Sequence, residues 1–323
     1  MNREKLTDIF KKSRPNAKES TIKLYTANIM KLMKLFDTED LNFLKNHNEV
    51  ENKLEKLHYT TKRNYLNAIV VYLMGNKEDK ELIDQYVDMR DTLNKQYEDE
   101  QATGVISDKQ KDNFVDISEV NKMIEEMKNE IKDKNLFVKK IEDIKPKEKQ
   151  LIQVYTLFNI YTRLPLRNDI AGMSVINKRD YNKLSDEDKK EHNYMVINKN
   201  NMYMVLNQYK TSSKYKELNI DIPKDLEKIL RQYIKINGMG VLFKSGTGTP
   251  LSRNALTQLL IKTTKKYMGK SISTTMLRKI YLSSKYSAVK EEMENDSKIM
   301  GHSTEVAQST YIKKPQSESE SDK

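Results

Sequence analysis

Tyr194-Met195-Val196-Ile197, Asn198–Asn201, Met202-Tyr203-Met204-Val205-Leu206, Lys210–Lys214 and Leu218-Asn219-Ile220-Asp221-Ile222-Pro223 make up the stretch where the chain changes its period. Short runs of β-branched, aromatic and Met residues, separated by Asn- and Lys-rich turns, predict three antiparallel strands. On both sides the apolar residues recur at spacings of three and four, the helical period. The fold class that follows is mainly α with a small antiparallel β-sheet.

Toward the C-terminus, helical spacing returns at Leu226–Ile236. Gly238–Gly240 turn the chain, Val241-Leu242-Phe243 reads as a short extended piece, and Ser245-Gly246-Thr247-Gly248-Thr249-Pro250 as a loop. That loop is not a nucleotide-binding P-loop, because no Gly-Lys-Ser/Thr follows it. Leu256–Tyr267 is helical, and Gly269–Thr274 leads into the apolar-periodic Met276–Leu282. Met300-Gly301-His302-Ser303 stands at a helix start, and after Ser309 a last helix carries Tyr311. Gln316–Lys323, rich in Ser and Glu, reads as disordered.

Toward the N-terminus, Leu151–Tyr161 is apolar enough for a buried helix, which ends at Thr162-Arg163-Leu164-Pro165-Leu166-Arg167 where Pro165 breaks it. Ile131–Lys149 is charged and irregular. Asp116 with Glu119 gives a capping-box pattern for a helix over Val120–Met127. Residues 99–115 read as a linker. Before them come a short helix at Leu6–Phe10, a helix capped by Ser20, patterns at Leu41–Leu44 and Val50–Leu57, a stronger helix capped by Thr60 or Thr61 that stops at Gly75, and one from Leu82 that dissolves at Gln96–Gln101. The organisation predicted is a helical domain over 1–98, a linker over 99–115, a mixed α+β domain over 116–313 and a tail over 314–323.

Composition bounds the partners. A net charge of +11 with 33% charged residues points to a polyanion, nucleic acid ahead of a membrane surface. The same excess is also what a lysine-rich solvated surface gives. There is no cysteine, so disulfides and Cys-type zinc sites are excluded, and the four histidines (His47, His58, His192, His302) have no metal-ligand spacing. No apolar run approaches the roughly 18 residues of a membrane span and no signal peptide opens the chain, which predicts a soluble protein acting inside the cell.

Of the 58 basic residues only ten are Arg. In a chain that otherwise uses Lys, an Arg in an apolar setting points to bidentate phosphate geometry. Arg167, followed by Ile170 and Met173, and Arg278, flanked by Leu277 and Ile280, are such residues. A near-buried guanidinium there either pairs with a carboxylate, such as Asp169 beside Arg167, or holds a ligand. Lys210 stands at a strand-to-turn boundary before Thr211-Ser212-Ser213, where it is either an ordinary turn lysine or an acid, a place that Lys214 or Lys216 also fits. His302 is a donor to phosphate or a structural histidine, and Tyr311 a nucleophile or a packed aromatic. Breaking a phosphodiester without a metal needs this set: a nucleophile, fixed cations around the phosphorane, and an acid for the leaving oxygen.

The sequence resembles the tyrosine recombinase/integrase family. The matching pieces are Leu164-Pro165-Leu166-Arg167 with Ile170-Ala171-Gly172-Met173, and Tyr209-Lys210-Thr211 before Leu218–Pro223. Leu242-Phe243 with Pro250-Leu251-Ser252, Ile272-Ser273 with Leu277-Arg278, Met300-Gly301-His302-Ser303, and Thr310-Tyr311 complete them. The resemblance covers residues 116–313, and the N-terminal helices match the family's core-binding domain in size and position.

It implies a C-shaped clamp on double-stranded DNA and a 3′-phosphotyrosyl intermediate formed without metal or nucleotide cofactor. Several protomers, a tetramer, would assemble on the DNA, with site-specific recombination or integration, of a virus or mobile element, as the outcome. Tyr311 would attack, Arg167, Arg278 and His302 would bind the phosphate, and Lys210 would protonate the leaving oxygen. Two positions depart from the family pattern. Thr275 stands where the family places His or Lys, three residues before the second Arg, and Asp169 stands one residue before the usual acidic position, which Ile170 occupies. A type IB topoisomerase and a DNA-binding relative without catalysis are the alternatives to a recombinase.

Overall fold

The helices of the first hundred residues bury their apolar side chains against one another, so none is stable until it packs on its neighbours. In a computed structural model of the protein the described residues are 1–312, without the side chain of Lys109; the expected tail at 314–323 lies outside them. The first compact unit, Met1–Ile106, holds α1 (Arg3–Ser13), α2 (Glu19–Leu35), α3 (His47–Leu54), α4 (Tyr59–Gly75) and α5 (Lys80–Ala102), with a 3-10 turn at Asn42–Lys45. Leu6, Phe10, Ile22, Ile29, Leu32, Leu66, Ile69 and Tyr86 are among the residues that form its core. α1 and α4 come close together where Gly75 faces Ser13: a Cβ on Gly75 would lie 2.9 Å from that of Ser13.

Three expectations for this unit are corrected. Ser20 lies inside α2, which starts after Lys18 with no side-chain cap. Thr60 and Thr61 also lie inside their helix, and the cap is His58, whose Nδ1 accepts the Thr60 N–H. α5 continues through Gln96 to Ala102, because Gln96–Gln101 contains nothing that breaks a helix and Tyr97 packs under the Arg63 guanidinium at 4.1 Å. The stretch read as a linker therefore begins as helix, and it also contains α6 (Asp108–Lys111).

The second unit, from Ser107 onward, contains α7 (Ile117–Asp133) and α8 (Pro146–Tyr161), followed by β1 (Ser174–Asn177), α9 (Lys178–Tyr181) and α10 (Asp186–Glu191). β2 (Tyr194–Ile197), β3 (Met202–Leu206), α11 (Ser212–Tyr215), β4 (Leu218–Asp221), α12 (Lys224–Asn237), β5 (Gly240–Val241), α13 (Arg253–Met268), α14 (Thr274–Ile299) and α15 (Thr304–Val306) follow. α8 is buried from Ile152 to Tyr161 on every side, and a helix apolar all round has to be central. α7, α12, α13 and α14 pack on it. Among the described residues no helix is long and apolar enough to cross a membrane.

β2, β3 and β4 are the three antiparallel strands expected. The sheet is nevertheless mixed, in the order β4-β3-β2-β1-β5, with β1 parallel to β2 and β5 antiparallel to β1. β1 escaped sequence reading because it is four residues long and shows no alternation of its own; its pairing with β2 makes it a strand. α7 runs on to Asp133, past the point where charge suggested irregular chain, because Val120, Met123, Ile124, Met127 and Ile131 keep one buried stripe.

Candidate functional site

The break at Pro165 puts Arg167 on a short turn rather than at the end of a helix. Arg167 precedes the 3-10 turn Asn168–Ile170, and Gly172, at φ +74, lets the chain reverse into β1. Arg167 is exposed, which corrects the expectation of a near-buried guanidinium. Nor does Asp169 belong to it. The Asp169 carboxylate, 7% exposed, receives Arg253 Nη2 at 2.8 Å instead.

Arg278 lies in the second turn of α14, half-buried, and its Nε donates to the Pro165 carbonyl at 3.2 Å. Two of the ten arginines are thereby fastened to one turn, Arg167 by the chain and Arg278 by a hydrogen bond. Tyr161 lies behind them, its hydroxyl donating to Asn168 Oδ1 at 3.2 Å. Burial, followed by the Asp169 charge, pushes that phenol far above its ordinary range, with Arg278 acting in the opposite sense. Tyr161 therefore stays protonated and serves as structure.

Lys210 is exposed and lies in the connection between β3 and β4, which winds through α11. The connection is closed by the Tyr209 hydroxyl, which donates to the Lys216 carbonyl at 2.7 Å. Its base is fixed to the Arg167 turn by Asn193, which is buried. Asn193 Nδ2 donates to the carbonyls of Asp169 (2.8 Å) and Gln208 (3.0 Å), and its Oδ1 accepts the N–H groups of Asn207 and Gln208, both at 2.8 Å. Arg253 repeats the link, donating to the Gln208 carbonyl at 3.4 Å while it holds Asp169. Asn168 adds a third tie, donating to Arg253 O at 3.0 Å and Thr257 Oγ1 at 2.6 Å. Arg167, Lys210 and Arg278 thus stand on three segments joined at one turn. Among the described residues neither Arg167 nor Lys210 has a hydrogen-bond or ion-pair partner.

The other half of the expected set lies elsewhere. α14 is a single helix of 26 residues without proline or glycine, roughly 39 Å long at about 1.5 Å per residue. Arg278 is near its start and His302 just past its end, so the two are about 30 Å apart along the axis. Thr275, in the first turn of α14, is exposed and lies at the Arg278 end.

α14 ends in a Schellman turn: Gly301 N–H bonds to Lys298 O, His302 N–H to Ser297 O, and Gly301 takes φ +68. Gly301 therefore closes a helix, where sequence placed it at a helix start; the start belongs to Ser303, which caps α15 through Val306 N–H. α15 continues into a π-turn, Ala307–Tyr311. That turn brings the Tyr311 hydroxyl back to 3.1 Å from His302 Nε2, with the rings stacked at 5.4 Å and 25°.

Arg253 and Asn193 were missed in the sequence. Arg253 had a signal, since it is one of ten arginines and follows Pro250-Leu251-Ser252. Asn193 had none, because a hub of backbone hydrogen bonds exists only after the strands have paired.

No protein-family model and no curated protein matches the sequence. Among solved structures, the chain is similar to a XerA recombinase at 10% identity and a TM-score of 0.34, covering 95% of this chain and 92% of that one. It is also similar to the XerH site-specific recombinase bound to its difH substrate in a pre-cleavage complex, at 15% identity and a TM-score of 0.38, covering 98% of this chain and 81% of that one.

Proposed function

We propose that the protein is a DNA strand-breaking and rejoining enzyme of the tyrosine recombinase/integrase kind, acting site-specifically on double-stranded DNA. The observation that carries this is the hydrogen bond between Tyr311 and His302, which sets a nucleophile-type hydroxyl against an imidazole on a basic chain. Arg167, Arg278 and His302 are the donors to the phosphate, Lys210 protonates the 5′ oxygen, and Tyr311 forms the 3′-phosphotyrosyl bond. Two guanidiniums, one carried by the Pro165 turn and one bonded to it, stabilise the charge of the phosphorane, and no cofactor is needed for that part of the chemistry. The helical unit Met1–Ile106 is the core-binding domain in this reading, and several copies, a tetramer, assemble on the DNA. The decisive experiment is a trap: a nicked target duplex from the source genome should yield a covalent protein–DNA adduct, lost in Tyr311→Phe. Undiminished adduct in that variant would remove Tyr311 from the role.

The length of α14 favours a second reading, a DNA-binding relative that does not cut. Such a protein would bind duplex DNA with steep salt dependence and form no adduct under any condition.

A further inference from the structure

Attack by Tyr311 requires its phenol to lose a proton, and Thr275, whose hydroxyl is no base at neutral pH, offers no acceptor. The structure supplies one elsewhere. His302 Nε2 is 3.1 Å from Tyr311 Oη, within the range of direct proton transfer. The contact is built rather than incidental. The Schellman turn fixes the backbone of His302 through its N–H to Ser297 O, Ser303 caps the next helix immediately after it, and the π-turn at Ala307–Tyr311 carries the phenol back over the ring. Ser297 and Ala307 are both buried, while Asn295, Asp296 and Lys298–Met300 around Ser297 are exposed.

We infer that His302 is the catalytic base for Tyr311, a role that rests on the recombinase reading and takes the place left by Thr275. In the step, the Tyr311 O–H bond breaks and an Nε2–H bond forms on His302. The phenolate oxygen bonds to phosphorus, the P–O5′ bond breaks, and the 5′ oxygen takes a proton from Lys210. Acting as the base requires the tautomer with its proton on Nδ1, which leaves Nε2 free to accept. Nδ1–H remains available to the phosphate, so the two roles of His302 use opposite edges of the ring. Base and nucleophile lie nine residues apart, joined by α15 and the π-turn.

The test follows adduct formation on a nicked duplex. His302→Ala should slow it about 100-fold or more, the ordinary contribution of a positioned base. His302→Gln, which can still accept a hydrogen bond from the phenol but cannot take its proton, should be as slow. Rates of both variants should be compared at saturating DNA, set by binding titration, so that a lost phosphate contact does not enter the comparison. In the His302→Ala background, 3,5-difluorotyrosine at position 311, a more acidic phenol, should recover most of the lost rate. A duplex with a methylphosphonate at the scissile position, which removes phosphate charge, should recover only the smaller part owed to the lost phosphate contact. Recovery by the methylphosphonate and none by difluorotyrosine would overturn the base role and leave His302 a phosphate ligand. No recovery by either, or full activity in His302→Gln, would overturn it as well. Absence of adduct with the parent protein would instead overturn the recombinase reading itself.

Discussion

Asp169 binds Arg253, not Arg167 two residues before it. The 2.8 Å contact joins the turn that carries Arg167 to the N-terminus of α13, and Arg253 passes on to the Gln208 carbonyl at the base of the Lys210 connection. Among the described residues no carboxylate pairs with Arg167.

If this pair positions the cations, charge at Asp169 matters more to rate than to affinity. Asp169→Asn should slow adduct formation about tenfold or more, equivalent to about 1.4 kcal/mol, with DNA affinity held. Arg253→Met should give the same split. Equal losses in affinity and rate, read by titration and single-turnover assay, would assign Arg253 to DNA contact instead.

Asn193 satisfies four backbone groups between the Arg167 turn and the Lys210 connection. Each buried group left without a partner costs about 1–3 kcal/mol, and partial relaxation and water should offset some of it. Asn193→Ala is expected to lose about 2–4 kcal/mol in urea unfolding. Asn193→Asp, which keeps the acceptor and loses the donors, should fall between. A loss under 1 kcal/mol in Asn193→Ala would show that water replaces the side chain.

The unbroken α14 predicts cleavage in trans. Its exposed middle carries Leu282, Tyr286 and Val289 at helical spacing, 41%, 49% and 53% exposed, a stripe suited to a second copy of the chain. An equimolar mixture of Tyr311→Phe and Arg278→Ala, each inactive alone, should form adduct, all of it on the Arg278→Ala chain. Silence of the mixture would mean that each copy bends its own α14 to close the site.

Glu227 provides a check on acid stability. Burial raises its carboxyl, but the hydrogen bonds and charges of Lys224 and Arg231 outweigh that and hold it below its ordinary range. A carboxyl depressed on folding stabilises the native state above its unfolded pKa, and that stability is lost as pH falls through the folded value. Glu227→Gln should therefore cost about 1–3 kcal/mol at neutral pH, less than a fully buried pair because both cations are partly exposed. The gap to the parent should narrow progressively in acid; denaturant melts across that range would show a constant gap if packing alone were responsible.

By itself the sequence determined the helical periods, the three central strands, the break at Pro165 and the scarcity of arginine that singles out Arg167 and Arg278. These are local properties: side-chain period, backbone restriction at proline, and composition are all present before the chain folds. Tertiary structure decided what depends on partners distant in sequence. β1 became a strand only by pairing with β2, and Asp169 was drawn to Arg253, 84 positions away, because α13 packs across the Arg167 turn. The same holds for the Gly301-His302 and Tyr311 motif. Its spacing was legible, but the spacing alone does not say whether the chain between Arg278 and Gly301 runs straight or doubles back. With no glycine or proline to interrupt it, α14 runs straight, and that separates the imidazole–phenol pair from the cations by the length of a helix.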